Sequence, residues 1–360
     1  MKAFTIHPNI EVAETLPSEF YRSQEVFDDI IEKVFAKTWQ FVCDESKVAV
    51  GGQLYPFNFL EYGLEEPMLL SNDGQNIHCM SNVCTHRGNI LCHDPAKAKN
   101  ILCGYHGRKF DLKGNFQHMP QFKEAQEFPR VEDHLHRFPI KKFGPWLFTS
   151  FEDSMNFDAV IDAMNRKVGF LPLTDFRLDE SHSKDYLVNA HWALYCDNYL
   201  EGFHIPFVHD GLNQELDYGK YETEIYPELN LQLGHSAGGE HVFDFPEGHE
   251  DYGKEISAYY FWVFPNMMFN FYPWGCSINI VKPISLNRTK VSFLSYVYDE
   301  TKLDTGAGAA LDKVEREDEF VVEGVFKGMQ SRVYKTGRYS PKMEKGVHHF
   351  HSLLADYLNR

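Results

Sequence analysis

Two short Cys/His motifs constrain this 360-residue chain more than anything else in it: Cys84-Thr85-His86 and, after sixteen intervening residues, Cys103-Gly104-Tyr105-His106. Each half brings one soft thiolate and one imidazole to a loop, the donor types that select transition metals. Both loops lie among short β-like runs, QNIHCMSNVC before the first and KNILCGYHG around the second. A zinc site of two cysteines and two histidines normally runs both cysteines first and both histidines last, with a helix between. Here the order is interleaved. It suits a [2Fe–2S] cluster with a thiolate pair on one iron and an imidazole pair on the other, whose neutral imidazoles raise the potential to roughly −150 to +300 mV. Gly88, Gly104 and Gly107 permit tight loops whose backbone N–H groups face the cluster sulfurs. The neighbouring Cys79, Cys92, His78 and His93 lack the paired spacing and read as ordinary residues.

The thiols have to stay reduced for such a site. Seven cysteines, an odd number in a long chain, do not make a disulfide framework. The N-terminal MKAFTIHPNIEVAETLP holds charges and prolines but no apolar run of the signal-peptide kind. No stretch approaches the roughly 20 apolar residues that span a bilayer. The expectation is a cytoplasmic protein. A net charge of −17 argues against nucleic acid and anionic membranes as partners, since both repel it.

The length is that of two ordinary domains. Residues 18–37 show helical spacing, with Ser18 as N-cap and Phe27, Ile30, Ile31 and Phe35 on one face. From Trp39 to Phe151 the pattern is all-β. Residues 156–170 are helical again, FLPLTD reads as a linker, and strands such as YYFWVF, INIVKPI and KVSFLSYVYD follow. A long helix is expected from Gly308 to Arg332. The fold class is α+β: a helical segment (1–37), an all-β domain (38–155) inserted near the start, and a larger domain (156–360).

The larger domain carries a second cluster of chemistry, CDNYLEGFHIPFVH, which contains His204 and His209. In a continuous helix these would lie about 140° apart and could not share a metal. Pro206 cannot continue the ladder and is expected to end or kink the helix, bringing His209 back toward His204. A third, acidic ligand would complete the two-His, one-carboxylate face of non-haem Fe(II) oxygenases. Asp318 is placed for it. On the C-terminal helix it falls within a stripe of Leu311, Val314, Val322, Val325 and Met329, while Arg316, Glu317 and Glu319 are expected to face away. A lone carboxylate on an apolar face needs a cation. Glu315 flanks the same stripe and is the reserve candidate.

The string CTHRG…CGYHGRKFDLKGNF resembles the Rieske domains of ring-hydroxylating oxygenases, and His-x₄-His followed about a hundred residues later by a helical Asp resembles their catalytic domains. The resemblance implies a Rieske [2Fe–2S] cluster on Cys84, His86, Cys103 and His106, and a mononuclear Fe(II) on His204, His209 and Asp318 in a helix-grip (START-like) domain. It also implies a head-to-tail homotrimer in which Glu201 bridges a cluster histidine of one subunit to an iron-ligand histidine of the next. Asn198 matches an amide near the iron. The chain has no dinucleotide fingerprint, and Gly306-Ala307-Gly308 does not fit one. Electrons are therefore expected from a separate NAD(P)H-dependent reductase, with or without a ferredoxin.

The segments WALYCDNYLEGFHIPFVH and FPNMMFNFYPWG resemble the choline, glycine betaine and carnitine monooxygenases. Phe203, Phe207, Phe271, Tyr272 and Trp274 are candidates for cation–π contact with a quaternary ammonium. The alternatives are aromatic-ring hydroxylation or O/N-demethylation, and, outside enzymes, a Rieske electron carrier.

Overall fold

The computed structural model describes residues 3–209, 211, 217–238, 241–303 and 311–360. Met1–Phe35 with Met155–Arg360 form one compact unit, and Ala36–Ser154 the other.

The inserted unit is antiparallel β throughout. β1 (Gln40–Asp44) joins β10 (Ile140–Phe143) and β11 (Trp146–Thr149) in one sheet. A second holds β2 (Gln53–Phe59), β3 (Glu66–Asn72), β4 (Ile77–Ser81), β5 (Ala96–Lys97) and β9 (Arg137–Phe138). The third is a small one of β6 (Ile101–Leu102), β7 (Lys109–Phe110) and β8 (Phe116–His118). Leu54, Leu69, Met80, Ile101, Phe110 and Leu135 pack together, with Cys84 and Cys103 in the same buried cluster. One contact ties the two Cys/His loops together. The Asp133 carbonyl accepts from the Thr85 hydroxyl of the first loop at 2.9 Å and from Arg108, just after the second, at 3.1 Å. Arg108 is itself buried, 2.6 Å from the Asp133 carboxylate and lying over the Phe116 ring.

The other unit is built on a seven-stranded antiparallel sheet. β13 (Glu222–Tyr226), β14 (Leu229–His235), β15 (Ile256–Val263), β16 (Met267–Tyr272), β17 (Gly275–Ser285) and β18 (Arg288–Val297) run as a meander, and β12 (Arg177–Val188) pairs with β18 at its end. The pleat gives this sheet two different faces. Leu231, Phe261, Phe269, Ile278 and Leu294 stand in register on one, while Gln232, Tyr260, Asn270 and Ser277 stand in register on the other. The helices of this unit are α1 (Gln24–Lys33), α2 (Phe157–Val168), α3 (Trp192–Tyr199), α4 (Ile205–Val208), α5 (Leu311–Met329) and α6 (Lys345–Asn359). Buried Trp192 fixes α3 by packing edge-on against Phe35 and Phe350.

Two local expectations are corrected, and a third lies partly outside the described residues. The first helix starts later, because Ser23 rather than Ser18 caps it, accepting from the Val26 N–H. The Ser18 hydroxyl instead donates to the Tyr334 carbonyl. FLPLTD lies inside one compact unit with Leu171 and Leu173 buried, so it is not a linker. The C-terminal helix is described from Leu311 to Met329; Gly308 and the Gly306-Ala307-Gly308 string lie outside the described residues, as does the Leu311 side chain.

Removing the Asp133 carboxylate leaves a buried guanidinium unpaired. Asp133→Ala should therefore cost about 3–5 kcal/mol, read as a lowered denaturation midpoint together with loss of acid-labile sulfide from the purified protein.

Candidate metal centres

The two loops of the β unit are built alike. The Cys84 carbonyl accepts from Gly88 N–H and the Cys103 carbonyl from Gly107 N–H, each at 3.0 Å; Cys84 and Cys103 N–H donate to the Asn89 and Arg108 carbonyls, each at 2.8 Å. Closing such a loop needs a left-handed residue four places after the cysteine. Gly88 (φ 71°) and Gly107 (φ 75°) supply it. Gly104 has no such requirement, which corrects that expectation. Both sulfurs are buried, and the His86 and His106 rings lie edge to face with centroids 4.8 Å apart. Burial pushes the Cys103 thiol up, but hydrogen bonds from the Tyr105 N–H, the Cys84 thiol, the His106 N–H and the Asn89 amide together outweigh it and bring the pKa below its ordinary value. Two thiols and two imidazoles on paired loops, with backbone donors aimed at sulfur, fit a [2Fe–2S] group. Cys79 is buried beside Thr149, His78 pairs with Asp73, and the Cys92 thiol donates to the Asp94 carbonyl, so none joins the loops.

The second set forms where α3 ends. The helix stops at Tyr199, and the chain turns through Leu200–Gly202 before the four-residue α4. This corrects the role given to Pro206: it sits in the first turn of α4, where its missing N–H costs nothing. His204 precedes α4 and His209 follows it, so the short helix brackets the pair and turns the rings toward each other. Their Nε2 atoms lie 3.2 Å apart. Asp318 Oδ1 from α5 is 3.0 Å from His209 Nε2 and 3.5 Å from His204 Nε2. No other group of three such donors within 4.8 Å of one another occurs among the described residues.

What surrounds these rings decides their chemistry. Glu201 Oε1 lies 2.7 Å from His204 Nδ1, and Glu317 Oε2 lies 2.8 Å from His209 Nδ1. A carboxylate only accepts, so each Nδ1 must carry the proton. Each neutral imidazole then presents a bare lone pair at Nε2. With both rings neutral, two lone pairs and a carboxylate oxygen converge on one point, an arrangement settled by a metal cation or by a proton on a ring Nε2. Their separations are those of adjacent corners around a metal with bonds of about 2.1 Å. The donor set fits a ferrous ion. Burial opposes the charged form of His209, but Asp318 and Glu317 outweigh it and raise its pKa.

Glu317 therefore does not face away, and Val325, expected on the buried stripe, is exposed. The helix is rotated from the purely apolar reading because its chemistry-bearing side points inward. Glu315 is 2% exposed and accepts from the Tyr195 hydroxyl at 2.5 Å; it is not among the three converging donors. Burial pushes its pKa to about 8.

A cavity opens over the triad, lined on the sheet side by Gln232, Tyr260, Asn270, Tyr272, Asn279 and Phe293. From α3 and the neighbouring loops come Tyr195, Asn198, Tyr199, Glu201 and Tyr221, and from α5 Val314 and Glu315. Of the five aromatics expected there, only Tyr272 lines it. Phe203 and Phe207 are exposed, and Phe271 and Trp274 are buried in packing. The missed residues come from separate strands; the one signal was an amide in the middle of an apolar run, as in MMFNFY.

Comparison with known proteins places this arrangement. Residues 174–360 match the ring hydroxylating alpha subunit (catalytic domain) family and residues 38–129 the Rieske [2Fe-2S] domain. The chain belongs to this family: it is a Rieske non-haem iron oxygenase, with a [2Fe–2S] cluster and a mononuclear iron as its cofactors, as the motif resemblance implied. Choline monooxygenase of Arabidopsis thaliana is 30% identical, over 96% of this chain and 83% of its own. The carnitine monooxygenase oxygenase subunit of Escherichia coli (strain K12) is 27% identical, over 96% and 94%. The quaternary ammonium Rieske monooxygenase CntA with L-carnitine superposes with a TM-score of 0.75 (24% identity, 97% of each chain). Naphthalene 1,2-dioxygenase from Rhodococcus sp. gives 0.70 (14% identity, 95% and 93%). No described helix is long and apolar enough to cross a membrane.

Two substitutions separate ligand from support. Asp318→Ala should take iron from three per chain to the two of the cluster, with acid-labile sulfide unchanged. Glu317→Ala should weaken Fe(II) affinity about 10–100-fold, measured by anaerobic titration of protein stripped of its third iron, while the visible spectrum of the cluster stays as it was.

Proposed function

We propose that the chain is the oxygenase component of a quaternary ammonium monooxygenase that hydroxylates its substrate or oxidatively demethylates it. The observation that carries this is the cavity wall: Tyr195, Tyr199, Tyr221, Tyr260, Tyr272 and Phe293 beside carboxylates, directly over the His204/His209/Asp318 triad. A trimethylammonium group cannot donate hydrogen bonds and is held by ring faces and negative charge. Burial drives the Tyr221 and Tyr272 hydroxyls well above their ordinary pKa, so these rings stay neutral and keep their electron-rich faces. An arene would meet the same rings but leave Glu315 without a counter-charge. The curated relatives named for choline and carnitine support the class.

In this proposal Cys84, His86, Cys103 and His106 hold the cluster, and His204, His209 and Asp318 hold the iron. The iron supplies O₂ activation, fed with electrons one at a time through the cluster. The protein's part is placement. Glu201 and Glu317 accept from the Nδ1–H groups of the two histidines, which fixes the tautomer and aims each Nε2 at the metal position. Glu201 also caps the turn before α4, accepting from the Phe203 and His204 N–H groups. It retains lone pairs for a cluster histidine from another subunit, and inter-subunit electron transfer is described for a quaternary ammonium Rieske monooxygenase of the same fold. Asn198 flanks the iron from α3. A homotrimer working in the cytoplasm with a separate NAD(P)H-dependent reductase, directly or through a ferredoxin, completes the proposal.

Purified oxygenase with a generic reductase should consume NADH and O₂ faster when quaternary ammonium compounds are added, and not when arenes are. Arene-stimulated turnover alone would overturn the assignment. Glu201→Gln should keep three irons per chain yet lower the rate of oxidation of the reduced cluster by O₂ in the presence of substrate by a factor on the order of 100.

A further inference from the structure

We infer that the cavity selects a quaternary ammonium ion of net positive charge that carries no carboxylate, and that Glu315 supplies its counter-charge. The inference narrows the quaternary ammonium proposal and rests on it.

The charges around the cavity all have one sign. Glu201, Glu315 and Asp318 line it, and no Lys or Arg does so among the described residues. The stretches that are not described beyond the N-terminus, 210, 212–216, 239–240 and 304–310, contain no Lys, Arg or His in sequence, and their ionisable residues are Asp210, Glu215, Glu240 and Asp304. A bound ferrous ion brings two positive charges, which the Glu201 and Asp318 carboxylates balance, so Glu315 is the carboxyl left to answer a further cation. A zwitterion would have to bury its own carboxylate beside these groups. Its only cationic partner would be the metal, whose open positions the reaction itself requires.

Glu315 has no other employment in the site. Its Oε2 accepts from Tyr195, its Oε1 has no hydrogen-bond partner among the described residues, and it sits one helical turn from Asp318 on the wall that faces the rings. A buried carboxyl with an unsatisfied oxygen is an expensive arrangement to leave in a structure. A cation lodged against the Tyr195, Tyr260 and Tyr272 rings would favour its ionised form by charge alone. The polar floor, Gln232, Asn270 and Asn279, offers amides that suit a neutral hydroxyl at the far end of the substrate.

The test uses iron-replete enzyme, its three irons per chain confirmed first, and four probes. Choline is the cation. L-Carnitine and glycine betaine are zwitterions, and 3,3-dimethylbutan-1-ol is choline with carbon in place of nitrogen. Dissociation constants come from calorimetry and turnover from O₂ consumption with reductase. Choline should bind about tenfold or more tightly than its uncharged isostere and exceed both zwitterions in kcat/KM. Glu315→Gln, which keeps an acceptor for Tyr195, should weaken choline about tenfold while leaving the isostere unchanged. The inference is overturned if either zwitterion matches choline, or if Glu315→Gln weakens choline and its isostere alike, which is the mark of a structural role. If none of the three quaternary ammonium probes binds the iron-replete enzyme, the quaternary ammonium proposal itself falls.

Discussion

Three ligand atoms converging on one point are the feature on which the catalytic unit turns. His204 Nε2, His209 Nε2 and Asp318 Oδ1 lie between 3.0 and 3.5 Å apart. The carboxylates behind the rings accept from the Nδ1–H groups, so that each neutral ring turns its Nε2 lone pair into the gap. A histidine pair in a protein core normally settles its hydrogen bonds internally. This one is drawn away from that solution by Glu201 on one side and Glu317 on the other. A divalent cation settles the arrangement.

The rest of the unit follows from keeping those atoms in place. Ending α3 at Tyr199 and restarting at Ile205 allows two histidines five residues apart to face each other, which an unbroken helix forbids. Tyr199 secures the break: its hydroxyl donates to Asn270 Oδ1 at 2.7 Å, and its carbonyl accepts from Gln232 at 2.8 Å. Both amides stand on the polar face of the sheet. The pleat that puts Leu231, Phe261 and Phe269 into packing on one side thus puts anchors and cavity wall on the other. The helix that brings Asp318 also brings Glu315 and Glu317, one into the cavity and one behind a ring.

Much of this was legible because metal sites leave local marks. Cys84-Thr85-His86 and Cys103-Gly104-Tyr105-His106 encode both loops within a few residues each, and the left-handed glycines needed to close them are in the same strings. His204 and His209 were also readable. What failed was whatever depended on rotation or register. The helical stripe was drawn from apolar residues, so it counted Val325, which is exposed, and set aside Glu317, which touches His209. Periodicity could not separate Asp318 from Glu315, since residues three apart share a face. The cavity was beyond reach for a different reason: Gln232, Tyr260, Asn270, Asn279 and Phe293 become neighbours only through strand pairing, and aromatics near the histidines in sequence, Phe203 and Phe207, point elsewhere.

Anomalous diffraction at the iron absorption edge, from crystals of the anaerobically reconstituted protein, addresses the central point most directly. One peak should lie within bonding distance of His204 Nε2, His209 Nε2 and Asp318 Oδ1, with Glu201 and Glu317 still against the Nδ1 atoms. A second, elongated peak should lie between the Cys84/Cys103 sulfurs and the His86/His106 rings. The contrary result is an empty triad in fully reconstituted protein, with the His204 and His209 rings turned so that an N–H fills the gap.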